Sequence, residues 1–383
     1  MSKRQPSVKI LLISPYHSGS HQRWAEGYAR HSTHEVQLLT LPGQYWKWRM
    51  VGGAVTLARM FRALREDQMT FDPDLIIVDD MLDLTTFLAL TRAETQGIPI
   101  ALYMHENQLT YPLHQDKTQG AMRRQKGKRD RKLVFVNYAS MLAADQILFN
   151  STYHLESWFG ALPNFLKNYP DYNELGNIEA LRAKSSVLYV GVDEPTLQPN
   201  LHKDERLPLI LWNQRWEYDK NPEQFLRVLL AVDAQAVPFR VAFCGENFSQ
   251  NPTAFEQAIA QLGEKVVHVG HASAEKYSEL LQQTTVTFST ALHEFFGISM
   301  VEAMLAGAFV LLPRRLSYPE LIPESLASAV FYEDEQALIR KLAEALREPA
   351  QTLAMGAQLG NAARRFGWGR LSAEYDAKFN QIM

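Results

Sequence analysis

The sequence predicts an α/β protein made of two Rossmann-like, parallel-sheet lobes facing across a cleft, and three observations lead there. The chain has 383 residues, which at ~100–200 residues per domain is enough for two separate cores. Short apolar runs ending in polar or glycine-bearing turns alternate with longer segments of helical period, the pattern of βαβ units. The alternation breaks once, where Asp193-Glu194-Pro195, Pro199 and Pro208 make a polar stretch, and it restarts at Leu209.

In the first half the strand patterns are Lys9–Ser14, Glu35–Leu39, Leu75–Val78, Ile100–Met104, Gln146–Phe149 and Val187–Val190. Helical period falls between them on Arg23–Arg30, Thr56–Arg65, Thr85–Thr95 and Asn137–Ala144. After the break, strands are expected at Leu209–Asn213, Arg240–Cys244, Val266–Val269, Val286–Ser289 and Phe309–Leu312. The matching helices are Pro222–Asp233, Thr253–Leu262, Ala274–Gln282, Ile298–Ala306 and Glu335–Leu346. The expected boundaries are a first lobe over 1–195, a second over 205–365, and a C-terminal helix within 366–383 able to pack back on the first lobe. Open sheets of this kind hold ligands at the carboxyl ends of their strands, so residues just after strands are the ones to examine.

Composition narrows the chemistry. Lys plus Arg number 39 and Asp plus Glu 42, a net charge of −3, so any nucleic-acid contact must use a local patch. Cys244 is the single cysteine, which excludes an intrachain disulfide, a CxxC pair and Cys-cluster zinc, and fits a reducing cytoplasm. Met1–Pro6 runs straight into the apolar segment Val8–Ser14, too short for a signal h-region, and no stretch nears the ~18 apolar residues of a membrane span. A cytoplasmic protein without membrane contact is expected. The GxxxxGK[ST] loop, GxGxxG and HExxH are missing, which removes the main support for kinase, dehydrogenase and zincin readings. Asp72-Pro73-Asp74 reads as a turn rather than a metal site.

The strongest constellation runs from His293 to Met304, after the strand Val286–Ser289. Glu294 falls on the loop at the sheet edge and Glu302 about one turn into the next helix. Backbone N–H groups near Gly297 and Ile298 can there hold an anionic phosphate, and Glu302 can accept two hydrogen bonds from a vicinal diol such as ribose. Either glutamate alone reads more readily as a capping carboxylate or a surface helix glutamate, and it is the combination that points to a site. Upstream, Arg215 and Lys220 lie between a strand and a helix, placed to neutralise a diphosphate, although such a pair alone also describes a solvated loop.

Together these residues resemble the nucleotide-sugar site of the retaining family 4 glycosyltransferases, mainly over residues 209–320. The resemblance implies the two-lobed GT-B fold, with Arg215 and Lys220 on the diphosphate, Phe296, Gly297, Ile298 and Glu302 in the donor site and Glu294 near the sugar ring. A narrower match then covers nearly the whole chain: His105-Glu106-Asn107-Gln108-Leu109-Thr110-Tyr111-Pro112, Arg215-Trp216-Glu217 with Asp219-Lys220, His293-Glu294-Phe295-Phe296-Gly297, Gly19-Ser20-His21 and Trp46-Lys47-Trp48-Arg49. These motifs resemble the tRNA-queuosine mannosyltransferase family. Asn213-Gln214 and the strongly basic segment after Gln115 depart from its pattern.

That resemblance implies transfer of mannose from GDP-mannose to queuosine at the tRNA wobble position, with no metal or other cofactor and no protein partner. His105 and Glu294 are the expected catalytic residues, with His105 orienting a sugar hydroxyl. Gly19, Ser20, His21, Glu106, Asn107 and Gln108 are expected on the acceptor. Eight cations between Lys117 and Lys132, among them Arg123, Arg124, Lys126, Lys128 and Arg129, are placed to meet phosphates. Trp48 and Arg49 are candidates to stack on unpaired bases, with core packing the alternative for the tryptophans. Two rival readings are a glycosyltransferase with another donor or a lipid or small-molecule acceptor, and a catalytically silent tRNA-binding protein.

Overall fold

The structure is a computed structural model and describes residues 8–67, 72–112, 130–196, 198, 201–245 and 252–383. It divides into two compact units, Met1–Gly191 with Trp368–Met383, and Val192–Gly367.

The first unit contains β1 (Lys9–His17), α1 (Gly19–His31), β2 (Glu35–Pro42), α2 (Trp46–Asp67), β3 (Leu75–Asp79), α3 (Leu84–Leu90), β4 (Ile100–Met104), α4 (Arg131–Ala143), β5 (Gln146–Phe149), α5 (Thr152–Leu166), α6 (Asn177–Ala183) and β6 (Ser185–Val187). Its strands pair in parallel in the order β2-β1-β3-β4-β5-β6. β3 and β4 are buried along their whole length, which is why their sequences are continuous apolar runs rather than alternating ones. The chain leaves β1 toward one side of the sheet and β3 toward the other, so the crevice at their carboxyl ends is the topological switch point of this unit.

The second unit contains β7 (Leu209–Trp212), α7 (Pro222–Asp233), β8 (Arg240–Cys244), α8 (Pro252–Leu262), β9 (Val266–Gly270), α9 (Ala274–Gln283), β10 (Thr284–Phe288), α10 (Ile298–Leu305), β11 (Phe309–Pro313), α11 (Tyr318–Leu321), α12 (Glu324–Val330), β12 (Phe331–Tyr332), α13 (Glu335–Arg347) and α14 (Pro349–Ala363). Its sheet is also parallel, in the order β12-β11-β10-β7-β8-β9. The switch point therefore lies between β7 and β10, the two strands that lead into the Arg215–Lys220 and His293–Gly297 segments.

Several sequence expectations are corrected. α2 begins at Trp46 rather than Thr56, and its first turns tolerate Gly52 and Gly53 because the helix is anchored by buried Met50, Ala54 and Leu57. α4 starts at Arg131, six residues before Asn137, with Asp130 accepting the Lys132 N–H as its cap. α3 ends at Leu90, not Thr95, and β6 sits at Ser185–Val187 rather than Val187–Val190. α5 carries Pro163 within it and was not anticipated; nor were α6 and α14.

The last helix, α15 (Trp368–Asn380), belongs to the first unit. It is tied to α1 by Trp24 Nε1–H donating to the Tyr375 hydroxyl at 3.1 Å and by the Tyr28 hydroxyl donating to Asp376 at 3.0 Å. Asp376 also accepts from Ser32 and from the backbone and hydroxyl of Thr33. Trp368 is buried against two glycines: a Cβ on Gly27 or Gly191 would fall 2.1 or 2.3 Å from its indole. Gly27→Ala is therefore expected to destabilise the unit by about 1–3 kcal/mol through overpacking, although alanine gains ~1 kcal/mol over glycine in a helix. Scanning calorimetry reads this as a lower midpoint; an unchanged midpoint would show that Trp368 does not occupy this slot in solution.

Candidate active site

In the second unit, β7 ends in a buried Trp212, and the chain reaches Lys220 through a short 3₁₀ turn, Tyr218–Lys220. Asn221 then takes the left-handed conformation (φ 53°) and Pro222 opens α7. Lys220 is only 8% exposed. Its ammonium donates to the His293 carbonyl at 3.1 Å and to Glu294 Oε2 at 3.0 Å, and lies 3.2 Å from Asp219 Oδ2. Burial works against its charge, but Glu294 and Asp219 hold its pKa above the ordinary lysine value. The loops after β7 and β10 are further tied by Leu292 N–H donating to the Asp219 carbonyl at 2.7 Å and by the Thr290 hydroxyl donating to the Lys220 carbonyl at 2.8 Å. Two loops far apart in sequence thus present one buried cation and a neighbouring carboxylate as a single rigid group.

Gly297 begins α10 with φ 102°, a conformation that glycine adopts without strain. A Cβ there would also press on the Tyr318 ring at 3.0 Å. The first helical bonds of α10 run from Met300 and Val301 N–H to the Gly297 carbonyl, so the N–H groups of Ile298 and Ser299 precede any helical acceptor and suit an anion. Glu302 accepts from the Tyr277 hydroxyl at 2.7 Å. The Asn213 amide donates to that same hydroxyl at 3.2 Å and to the Ser299 carbonyl at 2.9 Å, fastening the end of β7 to α10. Arg215 is over half exposed at its side chain, 3.3 Å from Glu217. Phe296 is corrected: it is buried edge-to-face against Phe366 at 5.4 Å, so it supports the loop from behind instead of lining a donor site.

The first unit gathers a second polar cluster at the β1/β3 switch point. His21 Nδ1 lies 3.2 Å from Asp79 Oδ2, which also accepts from the Ser14 hydroxyl at 2.5 Å. Burial opposes charge on His21, but Asp79, helped by Asp80 and Glu106, pushes its pKa up to about 9. The His105 ring lies beside it, tilted by 45°, at 4.3 Å between ring centres. Burial drives the His105 pKa well below the ordinary value, and the charges of His21 and His154 act in the same sense. Asp80 is pushed well up by burial, against the pull of His21. It accepts the His105 backbone N–H at 2.7 Å, and the His105 carbonyl accepts from Asn150 at 2.8 Å. The result is a neutral, tightly oriented His105 whose Nε2 is buried without a hydrogen-bond partner among the described residues.

The structure brings His21, His105 and Glu106 to one place, with Gly19 and Ser20 opening α1 directly after β1. Gln108 turns its amide onto Glu106 at 3.1 Å. Asn107 is corrected: fully buried, it accepts from Leu109 N–H and from Thr110 N–H and hydroxyl, closing its own turn and leaving nothing for an acceptor. Trp48 is 63% exposed, so core packing does not apply to it, while Arg49 donates to the Pro42 carbonyl at 3.2 Å. Arg123, Arg124, Lys126, Lys128 and Arg129 lie outside the described residues. Sequence reasoning missed Asp79 and Asp80, whose signal was available: two carboxylates directly after an all-apolar strand. It also missed Tyr277, the partner of Glu302, and Asn150 behind His105; nothing local marked either.

Comparison with known proteins follows the same division. Residues 9–192 match the family described as tRNA-queuosine alpha-mannosyltransferase N-terminal, and residues 193–366 match glycosyl transferases group 1. The tRNA-queuosine alpha-mannosyltransferase of Drosophila melanogaster is 31% identical over 89% of this chain and 87% of its own length. A GDP-mannose:cellobiosyl-diphosphopolyprenol alpha-mannosyltransferase of Xanthomonas campestris is 28% identical over 44% of this chain and 43% of its own. Among solved structures, Anabaena HepE in complex with UDP and glucose (TM-score 0.65, 13% identity, 98% of this chain and 100% of that one) shares the fold. So does sucrose-phosphate synthase from Thermosynechococcus elongatus (0.68, 14%, 98% and 99%). Two parallel six-stranded sheets with this topology are the GT-B fold, and the chain belongs to the tRNA-queuosine alpha-mannosyltransferase family of glycosyltransferases.

Proposed function

We propose that the chain moves mannose from GDP-mannose to queuosine at the tRNA wobble position, with retention at the anomeric carbon. The observation that carries the reading is the Lys220–Glu294 pair at the switch point beside the start of α10. That arrangement offers positive charge, free helix N–H groups and a carboxylate, the set needed by a sugar diphosphate. The Xanthomonas relative's name specifies GDP-mannose as donor, which favours that nucleotide sugar here.

In this reading the donor lies in the second unit and the acceptor in the first. Negative charge grows on the GDP as its bond to mannose breaks; Lys220, Arg215 and the N–H groups of Ile298 and Ser299 stabilise it, which accelerates the step because the interaction strengthens toward the transition state. Glu302, oriented by Tyr277, accepts from the ribose hydroxyls, and Glu294 from the sugar. The leaving phosphate takes the acceptor proton on the same face, so no metal and no obligatory protein base enter. Neutral His105 uses Nε2 to orient the attacking hydroxyl, and the exposed Trp48 and the half-buried Arg49 beside it contact the RNA.

The test is incubation of the purified protein with queuosine-bearing tRNA and a panel of nucleotide sugars, followed by mass analysis of the nucleosides. The expected product is queuosine heavier by one hexose with GDP-mannose; no hexose gain with any donor would overturn the reading.

A further inference from the structure

Beside the acceptor cluster, the first unit has an open cavity of about 510 Å³ between the starts of α3 and α4 and the segment after α5, within the ~300–1,000 Å³ range of small-ligand pockets. Its walls include Arg131, Lys132, Phe135 and Tyr169. Both cations are exposed on the first turn of α4, and neither forms an ion pair among the described residues. Phe135 is 45% exposed, large for a phenylalanine, while Leu133, Val134, Tyr138 and Met141 of the same helix are buried. It meets Tyr169 edge-to-face at 6.1 Å and Tyr138 at 5.6 Å, contacts that hold the ring, so a stacking partner would find it already ordered. Asp83 also borders the cavity, but its carboxylate is taken up by the Thr85 and Thr86 hydroxyls and the Thr86 N–H. The cavity is left electropositive with an aromatic wall.

Its position matters as much as its chemistry. Asn137, two residues beyond Phe135 on α4, accepts the Gln108 N–H at 3.0 Å and donates to the Asp80 carbonyl at 2.9 Å. One helix therefore carries both the pocket and the residue that braces the acceptor loop. Leu133 and Val136 of α4 pack with Met50 and Val51 of α2, which sets the exposed Trp48 turn on the neighbouring element.

We propose that this pocket is a subsite for an unpaired nucleotide of the RNA substrate, with Phe135 stacking on the base and Arg131 and Lys132 pairing with its phosphates. The assignment rests on tRNA being the acceptor. Aromatic stacking and cation–phosphate contact are the usual means of holding single-stranded RNA without reading its sequence, and an anticodon loop presents unpaired nucleotides on either side of the wobble base.

The experiment measures binding of fluorescent queuosine-bearing tRNA by wild type, Phe135→Ala and Arg131→Ala/Lys132→Ala at several salt concentrations, alongside hexose transfer and GDP-mannose binding. Phe135→Ala is expected to weaken tRNA binding about tenfold. The double variant should weaken it at least tenfold and flatten the salt slope by about 1–2, with GDP-mannose affinity within about twofold of wild type. If wild type transfers hexose to tRNA but both variants keep its affinity and slope, the subsite is overturned while the enzymatic reading stands. If wild type neither binds nor modifies tRNA, both fall. Loss of binding to phosphatidylglycerol vesicles with tRNA affinity intact would also overturn the proposal, in favour of a membrane.

Discussion

Lys220→Met is expected to lower hexose transfer about 10²–10³-fold, the usual effect of deleting one preorganised group that stabilises developing charge. Lys220 is 8% exposed and its ammonium is bonded to Glu294 and the His293 carbonyl, so it cannot swing away and water cannot replace it. The same substitution strands Asp219, 1% exposed, and Glu294 without their cation, and breaking a buried pair on one side costs roughly 3–5 kcal/mol. A loss of activity could therefore arise from unfolding, and a double variant separates the two. Lys220→Met/Glu294→Gln removes one orphaned charge and should recover part of the thermal midpoint, while transfer stays at the level of the single variant or below. Recovery of transfer together with stability would show that Lys220 has only a structural role. The folded-state pKa of Lys220 is raised, so its stabilising contribution is intact below the ordinary lysine pKa and fades only as pH rises through the folded value. The Lys220 contribution itself is thus constant between about pH 6 and 9, and all variants are compared in one buffer.

Much of the architecture and the placing of the candidate site residues after strands were legible because they depend on local pattern. Fully buried parallel strands write themselves as apolar runs, and the residues following β7 and β10 stand just past such runs. That Lys220 and Glu294 touch, however, is a consequence of strand order: β7 and β10 are neighbours in the sheet but more than sixty residues apart in the chain. No spacing rule conveys that adjacency. Asn107 and Phe296 show the opposite failure. Both sit inside the diagnostic motifs, yet one closes a turn with its own neighbours and the other fills the core, because a loop that displays some side chains must be held in place by others. α2 was truncated in prediction for a different reason: Gly52 and Gly53 suggest a break, and burial of Met50, Ala54 and Leu57 overrides their poor helix propensity.

Asp79→Asn is expected to remove a pH dependence that the wild-type protein displays between about pH 6.5 and 9. His21 has an ordinary pKa near 6.5 in the unfolded chain and one pushed up to about 9 in the fold, where burial disfavours its charge but Asp79 and more distant acids outweigh it. Across that interval the folded state keeps a proton that the unfolded state has lost, so stability falls as pH rises. The contribution is fully present below about pH 6.5 and gone above about 9, a change on the order of 3 kcal/mol. Asp80, also raised by burial, has the same sign but is retained in the variant, so the difference between the two proteins reports on the His21–Asp79 pair. Asparagine keeps the shape of residue 79 and removes the charge, so His21 should then be neutral above about pH 6.5. Urea midpoints measured at pH 6, 7 and 8, below the range where Lys203, lowered to about 8 by burial, acts in the opposite sense, should decline more steeply in wild type than in the variant, which starts lower. A level wild-type profile would mean that His21 is neutral in the fold. With His105 in the role proposed for it, transfer depends on the same pair, since the imidazolium at 4.3 Å helps keep His105 uncharged. The variant relieves that repulsion, so His105 gains a proton at higher pH than before, and the acidic limb of its transfer-rate profile should move upward in pH.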